Sequence, residues 1–323
     1  MTHEIEPALA DWLLDTDPAL RWQVERDLLD EPEEVWGATR ARIATEGRGA
    51  ELLARQDPDG QWAGGAYFPA DFAFDGPEAA DGQPYTATTW SLNTLREWGL
   101  DAAALTGTAD KLATSSRWEY DDLPYWGGEV DACINAFTLA NGVWLGADVS
   151  ALARWFPEHR LSDGGWNCEW VEGSTRSSFH STLNTIRGLL SYERAIGGDD
   201  TLRAARHAAE EYLLERRLMY LLSTGELVGP WVAWFAYPFR WCYTALRAVD
   251  HFREASLYDG RPPDQRMAGA IELVRSAREP DGAWRQERRH PGRVWFDIDV
   301  PVGERSPWLT FHALRVLRWW DGG

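Results

Sequence analysis

The sequence predicts an all-α protein folded as an α/α toroid, an (α/α)6 barrel of helical hairpins, and three observations carry that prediction. A short signature, Asp-Gly-x-Trp, recurs three times, each time after a helix-like run. Six segments with apolar residues on nearly every face alternate with amphipathic ones, the pattern of inner helices covered by outer helices. Strand signals are weak throughout, because alternation with period two is rare and short.

The elements follow in chain order. Apolar helical segments are predicted at residues 18–29, 85–98, 131–145, 178–195, 240–251 and 307–319. The outer runs lie at 49–55, 151–158 and 266–278, with a further amphipathic candidate at 201–217. The three signature copies are Gln56-Asp57-Pro58-Asp59-Gly60-Gln61-Trp62, Arg160-Leu161-Ser162-Asp163-Gly164-Gly165-Trp166 and Arg278-Glu279-Pro280-Asp281-Gly282-Ala283-Trp284. Asp-Gly stops a helix, so each copy marks a helix C-terminus, and the Trp that follows is expected to stack on a Gln or Arg side chain and clamp neighbouring hairpins. Pro18-Ala19-Leu20-Arg21-Trp22-Gln23 also suits an armadillo- or HEAT-like helix start, which makes an open solenoid the structural alternative. No Pro- or Ser-rich linker interrupts the series, so residues 1–323 are expected to form a single domain. Residues 71–83 and 260–265 read as surface loops. The first, with Gly76, Pro77 and Gly82, is long enough for a lid, although an inert excursion is the plainer reading.

Composition narrows the function classes. A formal net charge of −19 argues against nucleic acid or an anionic membrane surface as partner. The N-terminus lacks a cationic region followed by an apolar run, and no apolar stretch approaches 18 residues, so a cytoplasmic protein without membrane insertion is expected. Three Cys is an odd count and fits free thiols in a reducing compartment. The 20 Trp, with 10 Tyr and 11 Phe, exceed what a core of this size needs for filling, so part of that surface is expected to line a cavity.

The chemistry-bearing strings are Asp131-Ala132-Cys133 and, one hairpin later, Ser178-Phe179-His180-Ser181. Carboxylate, thiolate and imidazole are zinc's preferred donors, and three protein ligands leave a fourth position open. Asp131 and Cys133 point about 200° apart on a continuous helix, so they converge only if the helix starts between or just before them. Gly127-Gly128 makes such a start plausible, since glycine ends regular structure cheaply. Cys168, in the loop leading to His180, is a fourth candidate, and four ligands would close the site. Cys242, inside Trp241-Cys242-Tyr243, reads as a small buried hydrophobe.

The Asp-Gly-x-Trp turns resemble the QW repeats of squalene and oxidosqualene cyclases, and the hairpin series resembles the toroid those cyclases share with the β-subunits of protein prenyltransferases. The resemblance spans residues 18–320. It implies one of two catalytic devices. The Asp-x-Asp-Asp motif of class II terpene cyclases is missing: Asp297-Ile298-Asp299 lacks the following Asp, and Glu119-Tyr120-Asp121-Asp122 begins with Glu. Both strings read as loop-capping or solvated carboxylates. The zinc site of the prenyltransferase β-subunits does have a counterpart, with Asp131, Cys133 and His180 in matching order. That family's cationic grip on a prenyl diphosphate does not carry over. The matching positions are Tyr125, Gly128 and Ile134, and the chain holds a single Lys; Arg176, Arg240 and Arg247 are the available substitutes.

Together these observations predict a zinc-dependent enzyme acting on an apolar, isoprenoid-like small molecule. Asp131, Cys133, His180 and Cys168 would hold the metal, with Glu129, Glu169 and Arg176 catalytic and Trp90, Phe137, Tyr243, Trp308 and Phe311 lining the cavity. The alternatives are a non-catalytic ligand-binding toroid with a structural zinc, a metal-free squalene cyclase-like enzyme, and a carbohydrate-active α/α barrel using paired carboxylates. The sequence identifies no partner subunit.

Overall fold

The computed structural model describes residues 5–322. Its helices are α1 (Pro7–Leu14), α2 (Pro18–Asp27), α3 (Glu33–Ala41), α4 (Gly47–Leu53), α5 (Thr88–Glu97), α6 (Thr108–Ser115), α7 (Ala132–Leu145), α8 (Ser150–Glu158), α9 (Phe179–Ile196), α10 (Asp200–Glu215), α11 (Ala245–Asp259), α12 (Ala268–Ser276) and α13 (Pro307–Gly322). Strand structure among the described residues is one antiparallel pair, β1 (Trp284–Arg285) with β2 (Arg305–Ser306), in register Trp284 to Ser306. The protein is therefore all-α in class. No helix among the described residues is long and apolar enough to cross a membrane.

The chain divides into two compact units. One comprises Ile43–Glu210 with His290–Phe296; the other takes the residues up to Arg42, Glu211–Arg289 and those from Asp297 onward. In the first, α7 packs along α9, with α5 against α7, α4 against α5, and α6 and α8 flanking α7. Gly188 permits the close α7–α9 crossing, since a Cβ there would stand 2.6 Å from the Ala136 carbonyl oxygen. In the second unit α1, α2 and α3 pack in sequence, α11 lies against α12 and α13, and α13 reaches α2. A buried ion-pair cluster holds that last contact: Arg315 bridges Asp250 at 2.5 Å and Asp27 at 3.4 Å.

The three Asp-Gly-x-Trp turns are built alike. In each, the indole N–H donates to the carbonyl ten residues earlier, Trp62 to Leu52 at 2.9 Å, Trp166 to Phe156 at 3.0 Å and Trp284 to Val274 at 2.8 Å. The same residue's backbone N–H donates to a threonine in the first turn of the next helix, Thr88, Thr182 or Thr310. Each Trp therefore ties the end of one helix to the start of the next, α4 to α5, α8 to α9 and α12 to α13. All three are at most 1% exposed, so these bonds are shielded from water. The stacking partner differs between copies: Arg278 lies over Trp284 at 5.7 Å, whereas Trp166 meets the edge of Phe156.

Helix starts follow local capping rules. Asp17 accepts from the Ala19 N–H ahead of Pro18, Ser178 from Ser181, and Thr244 from Arg247. Helices α2, α5, α7, α9 and α13 begin within a few residues of the predicted apolar segments; only α11 starts later, at Ala245, because the chain from 240 to 244 runs in irregular conformation up to its cap.

Candidate metal centre and its cleft

The start of α7 determines the geometry of the candidate centre. Ala132 opens the helix, with Asp131 as its N-cap in extended conformation and Cys133 in the first turn, so the two side chains escape the 200° separation a continuous helix would impose. Gly128 precedes them at φ 76°, and a Cβ there would collide with Asn135 and Leu152. The Asn135 side chain holds the turn: its Oδ1 accepts from the Glu129 N–H at 2.7 Å and its Nδ2 donates to the Glu129 carbonyl at 2.8 Å. The Glu129 carboxylate in turn accepts from the N–H groups of Val130 and Asp131.

Cys168 arrives from the loop between α8 and α9, which is pinned at several points. Asn167 donates to Ser174 and to the Arg176 carbonyl, and Trp170 donates its indole N–H to the Val130 carbonyl at 2.8 Å. The Cys168 N–H donates to Ser181 Oγ at 3.1 Å, and that hydroxyl faces Cys168 Sγ at 3.3 Å. Its sulfur lies 2.9 Å from Cys133 Sγ, well beyond the about 2.05 Å of a disulfide, and both are free thiols. Asp131, Cys133 and Cys168 offer ligand atoms that all lie within 4.8 Å of one another.

The electrostatics of this group suit a cation. The bond with Cys168 and then burial push the Cys133 thiol well above its usual range, and the same bond lowers Cys168. Burial, and then Glu172, raise Asp131 to about 6; burial, and then Asp131, raise Glu129 to about 7. Two sulfurs and a carboxylate with no positive neighbour among the causes of their shifts form a donor set that fits a soft divalent ion such as zinc.

Asp131 and Glu129 also form part of the wall of a cleft of about 360 Å³. Its other walls are aromatic, from Tyr67, Phe68, Phe74, Trp118 and Tyr120, with Glu119, Val130 and Ile134 between them. Glu119 shapes the cleft by accepting the N–H groups of Ala66, Tyr67 and Phe68. Phe74 comes from the long loop at 71–83, which Arg293 anchors through ion pairs to Asp71 and Glu78.

The remaining predicted residues are placed as follows. His180 is the second residue of α9, half-buried, and lies outside the three-residue ligand group. Glu169 and Arg176 are exposed and do not line the cleft. Trp90 and Phe137 are buried behind it, with Trp90 packed on Tyr67 at 4.8 Å and on Phe137 at 5.7 Å. Tyr243, Trp308 and Phe311 belong to the other unit's core, where the Tyr243 hydroxyl donates to the Leu218 carbonyl and Trp308 stacks on Tyr237 at 4.6 Å. Sequence reasoning missed the cleft's own aromatics. Their signal was a cluster of rings, Tyr67-Phe68 and Phe72-Ala73-Phe74, in a loop region rich in Gly and Pro where no helix would bury them. Compared with known proteins, the chain matches no family model, no curated protein and no solved structure.

Proposed function

We propose that this protein is a zinc-dependent enzyme of the terpenoid cyclase and prenyltransferase-like type, acting on a small molecule with an apolar body held in the cleft beside Asp131. The observation that carries this reading is the convergence of Asp131, Cys133 and Cys168 within 4.8 Å at the wall of a 360 Å³ cleft. Three ligands of this kind leave a position for substrate or water. Zinc bound there would supply Lewis acidity and lower the pKa of a coordinated group.

The chain's own residues supply the rest. Asn135 holds the Glu129 backbone, and the Val130 and Asp131 N–H groups hold its carboxylate beside the ligand group, where it can take up or release a proton. Tyr67, Phe68 and Phe74 exclude water from an apolar substrate. With no Lys or Arg in the cleft wall, chemistry on a diphosphate is disfavoured. The three equivalent tryptophan clamps support the finer reading of the fold as an α/α toroid.

Elemental analysis of the purified protein beside Asp131→Asn, Cys133→Ala, Cys168→Ala and His180→Ala tests this. The expectation is about one zinc per chain in the wild type, lost from the first three variants while their circular dichroism stays helical, and kept by His180→Ala. Loss with His180→Ala as well would mean a closed four-ligand set and favour a structural zinc. A wild type without stoichiometric metal, even after refolding with zinc, would sink the proposal.

A further inference from the structure

The walls of the cleft specify more than an apolar ligand. Five of its ten lining residues are aromatic and three are carboxylates, and none is Lys, Arg or His. We infer that the cleft selects an organic cation, an ammonium group on a short apolar body, which deepens the functional reading above by naming the substrate class and rests on it for the role of the site.

Three features point the same way. First, a neutral apolar ligand would strip water from the Glu129 and Asp131 carboxylates without replacing it, whereas a cation compensates them. Second, Phe68, Phe74 and Tyr120 stand at the open side of the cleft rather than filling the core. Phe68, Phe72 and Phe74 form a set with ring centroids 4.7 to 5.1 Å apart, and Phe74 is 62% exposed. An exposed phenyl held on an anchored loop is costly in water and attracts a soft cation through its π-face. Third, the wall is prebuilt: Glu119 fixes the backbone at 66–68, and Tyr67 is buried against Trp90, so the rings need little reordering when a ligand enters. The cleft volume of about 360 Å³ lies at the small end of ligand sites, which suits a headgroup-sized cation with a short chain. Where Asp131 is taken up by a metal, Glu129 remains as the carboxyl group facing the ligand, and Glu119, whose oxygens accept three backbone N–H groups, stands in the same wall.

The test compares choline with 3,3-dimethyl-1-butanol, its uncharged isostere, by isothermal titration against zinc-loaded and metal-free wild type. The expected result is tighter binding of choline by about tenfold. Phe74→Ala and Glu129→Gln should each erode that preference several-fold while circular dichroism and zinc content stay at wild-type values. Equal or weaker binding of choline, or no binding of either probe at millimolar concentration, overturns the inference. The two readings separate cleanly. Zinc at one equivalent without a preference for the cation would leave the metalloenzyme standing and remove the ligand class. A preference for the cation in a protein that never holds zinc would do the reverse.

Discussion

At the scale of single residues, the thiol pair is the most reactive feature of the molecule. Cys133 and Cys168 lie 2.9 Å apart, the contact lowers the Cys168 thiol, and each is half-buried beside the cleft. A thiolate this close to a second thiol is set up for oxidation by peroxide: Cys168 attacks the peroxide oxygen to give a sulfenic acid, and Cys133 displaces water from it to form the disulfide. In metal-free protein, one equivalent of hydrogen peroxide should therefore lower the intact mass by about 2 Da and reduce the titratable thiols of the denatured protein from three to one. Zinc bound at the pair should slow the reaction. An unchanged thiol count after prolonged treatment would refute this reading of the pair. Cys242 stays out of it, because burial raises its thiol to about 11 and holds it protonated.

At the scale of elements, the repeated tryptophan turn does the structural work. Each copy spends one indole N–H on the end of the preceding helix and one backbone N–H on a threonine hydroxyl of the next helix. Thr182→Val keeps the side-chain volume and removes the acceptor for the buried Trp166 N–H, so it should cost about 1–2 kcal/mol. Thr88→Val and Thr310→Val should cost a similar amount if the three turns are equivalent. Chemical denaturation followed by tryptophan fluorescence measures each, and wild-type midpoints for all three would show that the bonds are dispensable. This turn was legible in the sequence. Asp-Gly and Trp are a local signature, and the bonds they make reach only ten residues back and one helix forward. The helix positions were legible for the same reason, since capping and period 3.6 act within a few residues.

At the scale of the whole molecule, buried carboxylates of opposite behaviour shape the pH dependence of stability. Burial pushes the Asp250 carboxyl up, but the Arg315 guanidinium and then His312 more than reverse this and hold it well below the usual range. Its contribution is present above the ordinary carboxylate value and is lost as the pH falls through the folded-state value. Asp299 has the opposite sign. Burial raises it from 3.8 to about 6, while Ser306 Oγ donates to one of its oxygens and the other is buried without a partner. The folded state then binds more protons than the unfolded state between those two values, so this group makes the protein less stable as the pH rises through that interval. Asp299→Asn, which keeps an acceptor for Ser306, should raise the melting temperature at pH 7 and change it little below pH 4. A wild-type melting curve at both pH values would contradict the assignment.

The sequence by itself determined the all-α class, the three tryptophan turns, the places where most of the long helices begin, and Asp131 and Cys133 as candidate ligands at the start of α7. All of these rest on interactions between residues close in the chain. Tertiary structure decided which of those ligands come together. Cys168 joins Asp131 and Cys133 because Trp170 ties its loop to Val130 and Ser181 holds its backbone, while His180, the second residue of α9, stays outside that group. It also decided that the cleft is walled by the rings at 67–74 and 118–120, brought together by the Glu119 carboxylate across more than fifty residues. Loop paths of that kind are set by a few long-range hydrogen bonds to backbone groups, and backbone groups leave no mark in the sequence.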